Sequence, residues 1–143
     1  MDFSSLKTAS AIPGAAAMIE TFRAIGYSLE TAVADIVDNS ISASARNVWI
    51  NRIWKGGDSV ITIRDDGHGM SGEEIIQAMR PGAQNPLEER SATDLGRFGL
   101  GLKTASFSQC RTLTVMSKIQ GQSPEFWTWS LDHVARCDRW ELV

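Results

Sequence analysis

The sequence DLGRFGLGLKTAS occupies residues 94–106 and is typical of a glycine-rich loop that runs into a helix. Gly96, Gly99 and Gly101 remove side chains where a backbone bends sharply or approaches a ligand closely. The following segment, from Leu102, can begin a helix whose unpaired N–H groups point back at the loop. Such a helix start binds anions readily, and Lys103 adds a positive charge. On its own the stretch also fits a purely structural turn.

A second informative segment is SLETAVADIVDNSISAS, residues 28–44. Ser28 is a good N-cap, and apolar residues recur at three- and four-residue spacing, which predicts a helix with one buried stripe (Leu29, Val33, Ile36, Val37, Ile41). Asp35 and Asn39 are four residues apart and share a helix face. A carboxylate can orient and deprotonate a water, and an amide oxygen can ligate magnesium. The alternative is that both residues simply solvate the polar face.

The third segment is SVITIRDDGHGM, residues 59–70. Its first half is rich in β-branched residues and predicts a short strand, which the Asp-Gly turn then ends. An acidic residue at the end of a strand, followed by two glycines, can place a carboxylate at the floor of a pocket. There it can accept a hydrogen bond from an exocyclic amine such as that of adenine. A plain turn is the alternative interpretation of this segment.

Together and in this order, the three motifs resemble those of the GHKL ATPase superfamily. Its members include gyrase, the heat-shock chaperone, histidine kinases, MutL and MORC proteins. Residues 35–40 resemble the family's helix motif, residues 65–70 its adenine motif and residues 96–103 its phosphate loop. The resemblance covers roughly residues 10 to 131, and the phosphate loop is most similar to the chaperone, MutL and MORC versions.

The resemblance implies a role for each matching position. Asp35 would be the catalytic base, Asn39 the magnesium ligand and Asp65 the acceptor for the adenine amine. The residues expected to bind ATP and Mg²⁺ are Asn39, Asp65, Gly67, Gly69, Met70, Gly96, Phe98, Gly99, Leu100, Gly101 and Lys103. Gly67 and Gly69 would let the nucleotide approach, and Gly99 and Gly101 would donate backbone N–H groups to its phosphates.

The implied fold is an α/β two-layer sandwich, the Bergerat ATP-binding fold, in which a mixed β-sheet of four or more strands carries helices on one face. The strands are expected at residues 47–53, up to Arg64, at 111–118 and at 125–131, with helices at 13–25 and 71–79. Trp127 and Trp129 share one face of the last strand, which favours a packing role over a binding platform. Residues 80–98 are polar and contain two prolines; the resemblance makes them a mobile lid over ATP, and a plain surface loop is the alternative.

One departure from the family pattern leaves two functions open. Most hydrolytic members carry Glu where this chain has Asp35, and the shorter side chain sets the carboxylate back by about 1.5 Å. The first function is an ATPase that drives conformational change, or nucleotide-dependent homodimerisation, in a larger protein. The second is a nucleotide-sensing module that binds ATP or ADP with little turnover. Histidine phosphotransfer is disfavoured because no dimerisation helix with a phosphoacceptor His is evident.

Length, net charge and cysteine content exclude several other kinds of protein and binding site. The chain has 143 residues, which suits one domain, and we expect it to be the N-terminal piece of a longer protein. A net charge of -3 gives no indication of nucleic-acid binding. Two distant cysteines favour a reduced, cytoplasmic setting, and no stretch is apolar enough to span a membrane. His68 and His133 lack an evident ligand partner, so no zinc site is expected.

Overall fold

Five α-helices and four β-strands follow one another along residues 7–82 and 101–143, the parts of the chain that the computed structural model describes. Their bounds are α1 Ala15–Arg23, α2 Leu29–Ser42, β1 Val48–Ile53, β2 Val60–Asp65, α3 Gly72–Met79, α4 Gly101–Gln109, β3 Thr112–Ser117, β4 Glu125–Ser130 and α5 Leu131–Cys137. The predicted α/β class is confirmed. The predicted lid, residues 80–98, falls almost entirely outside the described residues.

The helix ends follow the capping signals in the sequence. Ser28 caps α2 by accepting a hydrogen bond from the Thr31 N–H at 3.2 Å. Ser71 and Glu74 form a reciprocal capping box at the start of α3. The first helix is shorter than predicted, because it begins after Gly14, with Pro13 before its cap, and is complete at Arg23.

The described strands form two antiparallel pairs, β1 with β2 and β3 with β4. In the first pair Val48 lies opposite Asp65, and in the second Thr112 lies opposite Ser130. Within the described residues no ladder joins the two pairs, so the parallel pairing of a mixed sheet is not among these hydrogen bonds. The ends of β2 and β3 nevertheless meet, since the Met70 N–H donates to Ser117 Oγ at 2.8 Å.

The core lies where α1, α3, α4 and α5 pack on the β3–β4 pair. Its buried members are Ala15, Ile19, Ile75, Met79, Phe107, Trp129, Leu131 and Val134. Trp129 is at the centre: its indole N–H donates to the Met79 carbonyl at 3.0 Å, and Phe107 meets its ring edge-to-face. The tryptophan therefore has the packing role that the sequence favoured, with its one polar atom satisfied.

Helix α2 packs on α4 with two small residues fully buried and most of the predicted apolar stripe half-buried. The buried positions of α2 are Ala32 and Ser40, whereas Ile41 is 54% exposed. Residues 103–107 of α4 are all buried. Four of the five predicted stripe residues are half-buried, and Ile41, near the end of the helix, is the exception. Ser40, one helical turn after Ile36, shares their face, and its hydroxyl bonds to Asp65 at the end of β2.

The β1–β2 pair is the most exposed part of the described structure. Trp49, Ile50 and Val60 are each about half exposed, at 46%, 54% and 52%. The Arg64 guanidinium lies 4.4 Å from the ring centre of Trp49, its cross-strand neighbour, and covers part of that ring. Among the described residues no helix is long and apolar enough to cross a membrane.

Candidate functional site

Helix α2 presents the predicted base and the predicted magnesium ligand towards the same cleft. Asp35 is half-buried, and Asn39, one helical turn later, is exposed. The pKa of Tyr27 is raised, first by burial and then by the neighbouring Asp35 carboxylate. Tyr27 lines the same cleft as Asp35.

The two adjacent aspartates at the end of β2 have different partners. Asp65 accepts hydrogen bonds from the Ser40 hydroxyl, at 3.0 Å, and from the Gly67 N–H, at 2.9 Å. Asp66 turns to the start of β1, where it accepts from the N–H groups of Arg46 and from the backbone and side chain of Asn47, at 2.7–2.8 Å. These bonds lower the pKa of Asp66. Asp66 is thus occupied structurally, and Asp65 is the carboxylate that remains available to a ligand.

Ser40 connects α2 to this carboxylate. The residue is 3% exposed, and its hydroxyl donates to one carboxylate oxygen of Asp65 while the Gly67 N–H donates to the other. A carboxylate has about four lone-pair positions, so each oxygen of Asp65 keeps capacity for another donor. The arrangement fixes the direction of the Asp65 side chain without saturating it.

The glycines of the adenine motif lie against the protein itself. A Cβ at Gly67 would stand 2.8 Å from both Cβ and the carbonyl oxygen of Ala43. Gly69 has φ +76°, and a Cβ there would overlap the Lys118 carbonyl. Both positions therefore require glycine for packing and backbone conformation. The predicted role, that these glycines admit the nucleotide, is a separate expectation.

The start of α4 supplies Lys103, which the sequence assigned to the phosphates. Lys103 is 3% exposed, and its ammonium donates to the Ala78 carbonyl in the last turn of α3 at 2.8 Å. Burial lowers the pKa of Lys103 to about 8. One of its three donors is thus used by the protein, and the side chain ties α4 to α3.

The rest of the predicted phosphate loop is only partly described. Gly101 is the first residue of α4. Gly96, Phe98, Gly99 and Leu100 lie outside the described residues. Their predicted contacts with the phosphates therefore remain predictions.

One open cleft between α2, β2, α3, α4 and β3 brings the described candidates together. Its lining includes Tyr27, Asp35, Asn39, Ser40, Asp65, Gly67, Gly69, Met70 and Lys103. Among the candidate residues, oxygen acceptors lie on its α2 and β2 sides and Lys103 lies at its α4 side; Arg23 and Arg64 also line it. This distribution suits a ligand with a hydrogen-bond donor at one end and negative charge at the other.

Two residues of this cleft were not identified as functional from the sequence. Ser40 follows Asn39 directly, but its role depends on a bond to Asp65, 25 residues later, which no local pattern indicates. Tyr27 precedes the α2 cap, and nothing in its local pattern places its hydroxyl beside Asp35. A contact between Tyr27, which lies just before the helix, and the first turns of α2 was the feature that the sequence analysis should have considered.

Comparison with known proteins places the whole arrangement in one family. The sequence profile described as "Histidine kinase-, DNA gyrase B-, and HSP90-like ATPase" matches residues 27–143. ATPase morc-1 of Caenorhabditis elegans is 33% identical over 64% of this chain and 10% of its own length. DNA mismatch repair protein MutL of Thermus aquaticus is 37% identical over 66% of this chain and 17% of its own. MutL of Rhizorhabdus wittichii is 33% identical over 72% of this chain and 17% of its own.

These relatives are several times longer than the matched segment, so the comparison concerns this domain alone. The profile match covers more than half of the chain and includes the described residues of all three motifs. The chain therefore belongs to the histidine kinase-, DNA gyrase B- and HSP90-like ATPase family, the GHKL superfamily.

Proposed function

We propose that this domain binds ATP with Mg²⁺ in the cleft beside α2 and hydrolyses it to ADP and phosphate. The observation that carries the proposal is the Asp65 carboxylate at the end of β2, oriented by Ser40 and Gly67 and facing the same cleft as Asp35 and Asn39. Membership of an ATPase family supplies the nucleotide class.

Asp65 would recognise the base. Its free lone pairs would accept a hydrogen bond from the exocyclic amine of adenine, and a guanine carbonyl at that position would meet a carboxylate oxygen instead of a donor. This difference favours adenine over guanine. Met70, half-buried at the end of the same motif, would border the base.

The donor set on α2 fits magnesium. Mg²⁺ prefers oxygen ligands, keeps several waters and is usually shared with substrate phosphates. Asn39 is exposed on the cleft side of α2 and would offer one amide oxygen. The bound ion would neutralise charge on the phosphates. Gly96, Gly99 and Gly101 would donate backbone N–H groups to those phosphates, with Lys103 adding its charge.

Asp35 would act as the general base for the attacking water. Tyr27 lies near this carboxylate in the cleft. A base must come within hydrogen-bonding reach of its water, and Asp35 is one methylene shorter than the Glu expected at this position. That shorter reach is the observation that favours the second candidate function, a nucleotide sensor with little turnover.

In the whole protein we propose that nucleotide binding drives conformational change or homodimerisation. The named relatives include an ATPase and DNA mismatch repair proteins. The reduced cysteines, Cys110 and Cys137, are consistent with a cytoplasmic location. The lid assigned to residues 80–98 would close over the bound ATP.

The decisive experiment compares ATP binding and ADP release in the longest available chain, with and without Mg²⁺. Asp65→Asn should weaken binding by roughly 1–3 kcal/mol, because a charge-assisted acceptor is replaced. Asp35→Ala should keep binding and lose turnover about a hundredfold or more. Glu30→Ala, which removes an exposed carboxylate from the same helix outside the cleft lining, is the matched control and should leave both quantities near wild type.

Two outcomes would redirect the proposal. Equal nucleotide affinity in wild type and Asp65→Asn would contradict the assigned pocket. If ATP binds but no ADP release that depends on Asp35 is detected, the function is that of a nucleotide sensor. Asp35→Glu extends the carboxylate by one methylene, so a faster rate in that variant would identify reach as the limiting factor.

A further inference from the structure

A group of side chains that could bind a metal ion lies on α5 and in the segment after it, apart from the nucleotide cleft. His133, Cys137 and Glu141 each offer one ligand atom, and these atoms lie within 4.8 Å of one another. His133 Nε2 is 3.2 Å from Glu141 Oε2, and Cys137 Sγ is 3.9 Å from the same oxygen. Across residues 7–82 and 101–143 this is the one group of three such side chains close enough to share a metal ion.

The helix sets the spacing of the first two ligands. His133 and Cys137 are four residues apart, so they lie on one face of α5. The Ser130 hydroxyl accepts from the His133 N–H at 3.3 Å and fixes the first turn. The sequence-based expectation that His133 has no ligand partner is therefore wrong, because Cys137 stands one helical turn after it.

A chain reversal brings in the third ligand. Asp138 ends α5 in the left-handed conformation, φ 48°, and its carboxylate accepts from the Ala16 N–H at 2.9 Å. The segment after it is then held to the edge of β4 by two backbone hydrogen bonds between Val143 and Thr128, at 2.8 and 2.9 Å. Glu141 thus lies between two anchors, the Asp138 side chain before it and the backbone pairing of Val143 after it.

We propose that His133, Cys137 and Glu141 bind a Zn²⁺ ion, with water in the fourth position. Zinc takes histidine nitrogen, cysteine sulfur and carboxylate oxygen in tetrahedral geometry, at about 2.0–2.3 Å. Ligand atoms around such an ion stand roughly 3.3–3.7 Å apart by that geometry. The His133–Glu141 and Cys137–Glu141 separations, 3.2 and 3.9 Å, need changes of a few tenths of an ångström. His133 and Cys137, whose ligand atoms lie within 4.8 Å, would approach each other by side-chain rotation.

The surroundings of the cluster are compatible with a bound cation. Arg139 contacts Glu141 through Oε1, at 3.3 Å, and so leaves Oε2 to face the other two ligands. All three ligands are half-buried, which leaves an entry path for the ion and room for a water. Zn²⁺ would bind the lone pair of His133 Nε2, with the single proton of the neutral ring carried on Nδ1, and the thiol proton of Cys137 would be released to solvent.

The thiolate provides a spectroscopic test that does not involve nucleotide. Titration of the reduced full chain with Co²⁺, followed by displacement with Zn²⁺, should give one saturable site per chain with tetrahedral d–d absorption and one thiolate-to-cobalt charge-transfer band. Cys137→Ser should abolish the charge-transfer band. Cys110→Ser, the matched control at the other cysteine, should keep it.

Two further measurements separate metal binding from loss of folding. Glu141→Gln should keep the charge-transfer band but weaken Zn²⁺ binding at least tenfold by calorimetry. Asn39→Ala should leave the band unchanged, since it alters the proposed Mg²⁺ site alone. Zn²⁺ should also raise the melting temperature of wild type and not that of Cys137→Ser. Absence of a charge-transfer band in folded wild type, or its persistence in Cys137→Ser, would overturn the proposal.

Discussion

Replacing Ser40 with Ala should weaken ATP binding although Ser40 is not expected to touch the nucleotide. Its hydroxyl is 3.0 Å from one oxygen of Asp65 and is one of the two donors that orient that carboxylate. A hydrogen bond to a charged group contributes about 1.5–3 kcal/mol. Asp65 is exposed, so water can replace part of the lost bond, and the lower end of that range applies. The expected change is about a tenfold rise in Kd.

The assay is calorimetric titration with a non-hydrolysable ATP analogue and Mg²⁺, accompanied by a denaturation curve for each variant. Ser42→Ala is the matched control, because Ser42 is an exposed serine at the end of the same helix. The unfolding free energy of Ser40→Ala should fall by no more than about 1.5 kcal/mol, the same lower end of that range, since this one hydrogen bond is lost. A large loss of stability would mean that packing of α2, and not orientation of Asp65, dominates the effect.

A double-mutant cycle tests the mechanism itself. If Ser40 acts through Asp65, then Ser40→Ala should cost nothing further in an Asp65→Ala background. An equal loss of affinity in both backgrounds would refute the reasoning, as would a Kd for Ser40→Ala within about twofold of wild type.

Three further predictions follow from other contacts. Tyr27→Phe removes a hydroxyl that lies near Asp35 in the cleft and should slow turnover roughly two- to tenfold with unchanged ATP affinity in single-turnover assays; equal rates would contradict it. Gly69→Ala should destabilise the fold by more than Gly121→Ala, by over about 1 kcal/mol in urea denaturation, since both have positive φ but Gly121 faces open space. Lys103 has a pKa of about 8 in the folded chain and an ordinary value of 10.5. The unfolded chain therefore binds the proton more tightly, and the stability of wild type relative to Lys103→Met should rise from pH 8 to 10.5, a slope that denaturation curves would detect.

Local signals in the sequence predicted the elements of the fold well. Ser28 and Ser71 mark the two helix starts because a serine hydroxyl satisfies the exposed N–H groups of a first turn. Alternation in residues 125–130 and the bulk of Trp129 predicted a strand with a packed tryptophan. These features depend on a few neighbouring residues, so their pattern is visible in the chain itself.

Contacts between residues far apart in the sequence were harder to predict from the sequence. The apolar stripe of α2 predicted Ile41 as buried, but Ile41 lies near the end of the helix and is exposed, whereas Ala32 and Ser40 are the buried positions. Glu141 lies beyond the end of α5, and the left-handed turn at Asp138 returns the chain so that its carboxylate lies beside His133. Periodicity identifies a helix face but not the element that this face contacts. The contact of Ser40 with Asp65 and that of Glu141 with His133 were therefore identified only in the structure.

The bond between Lys103 and the Ala78 carbonyl has a consequence for affinity. A phosphate that draws the ammonium away from Ala78 also removes a hydrogen bond from the last turn of α3, and the free energy of that exchange is subtracted from binding. By thermodynamic linkage, whatever loosens the end of α3 would tighten nucleotide binding, and whatever rigidifies it would weaken binding. The residue directly after that helix opens the segment assigned as the lid. The position of Lys103 would therefore determine how strongly the conformation of the lid and the binding of nucleotide influence each other.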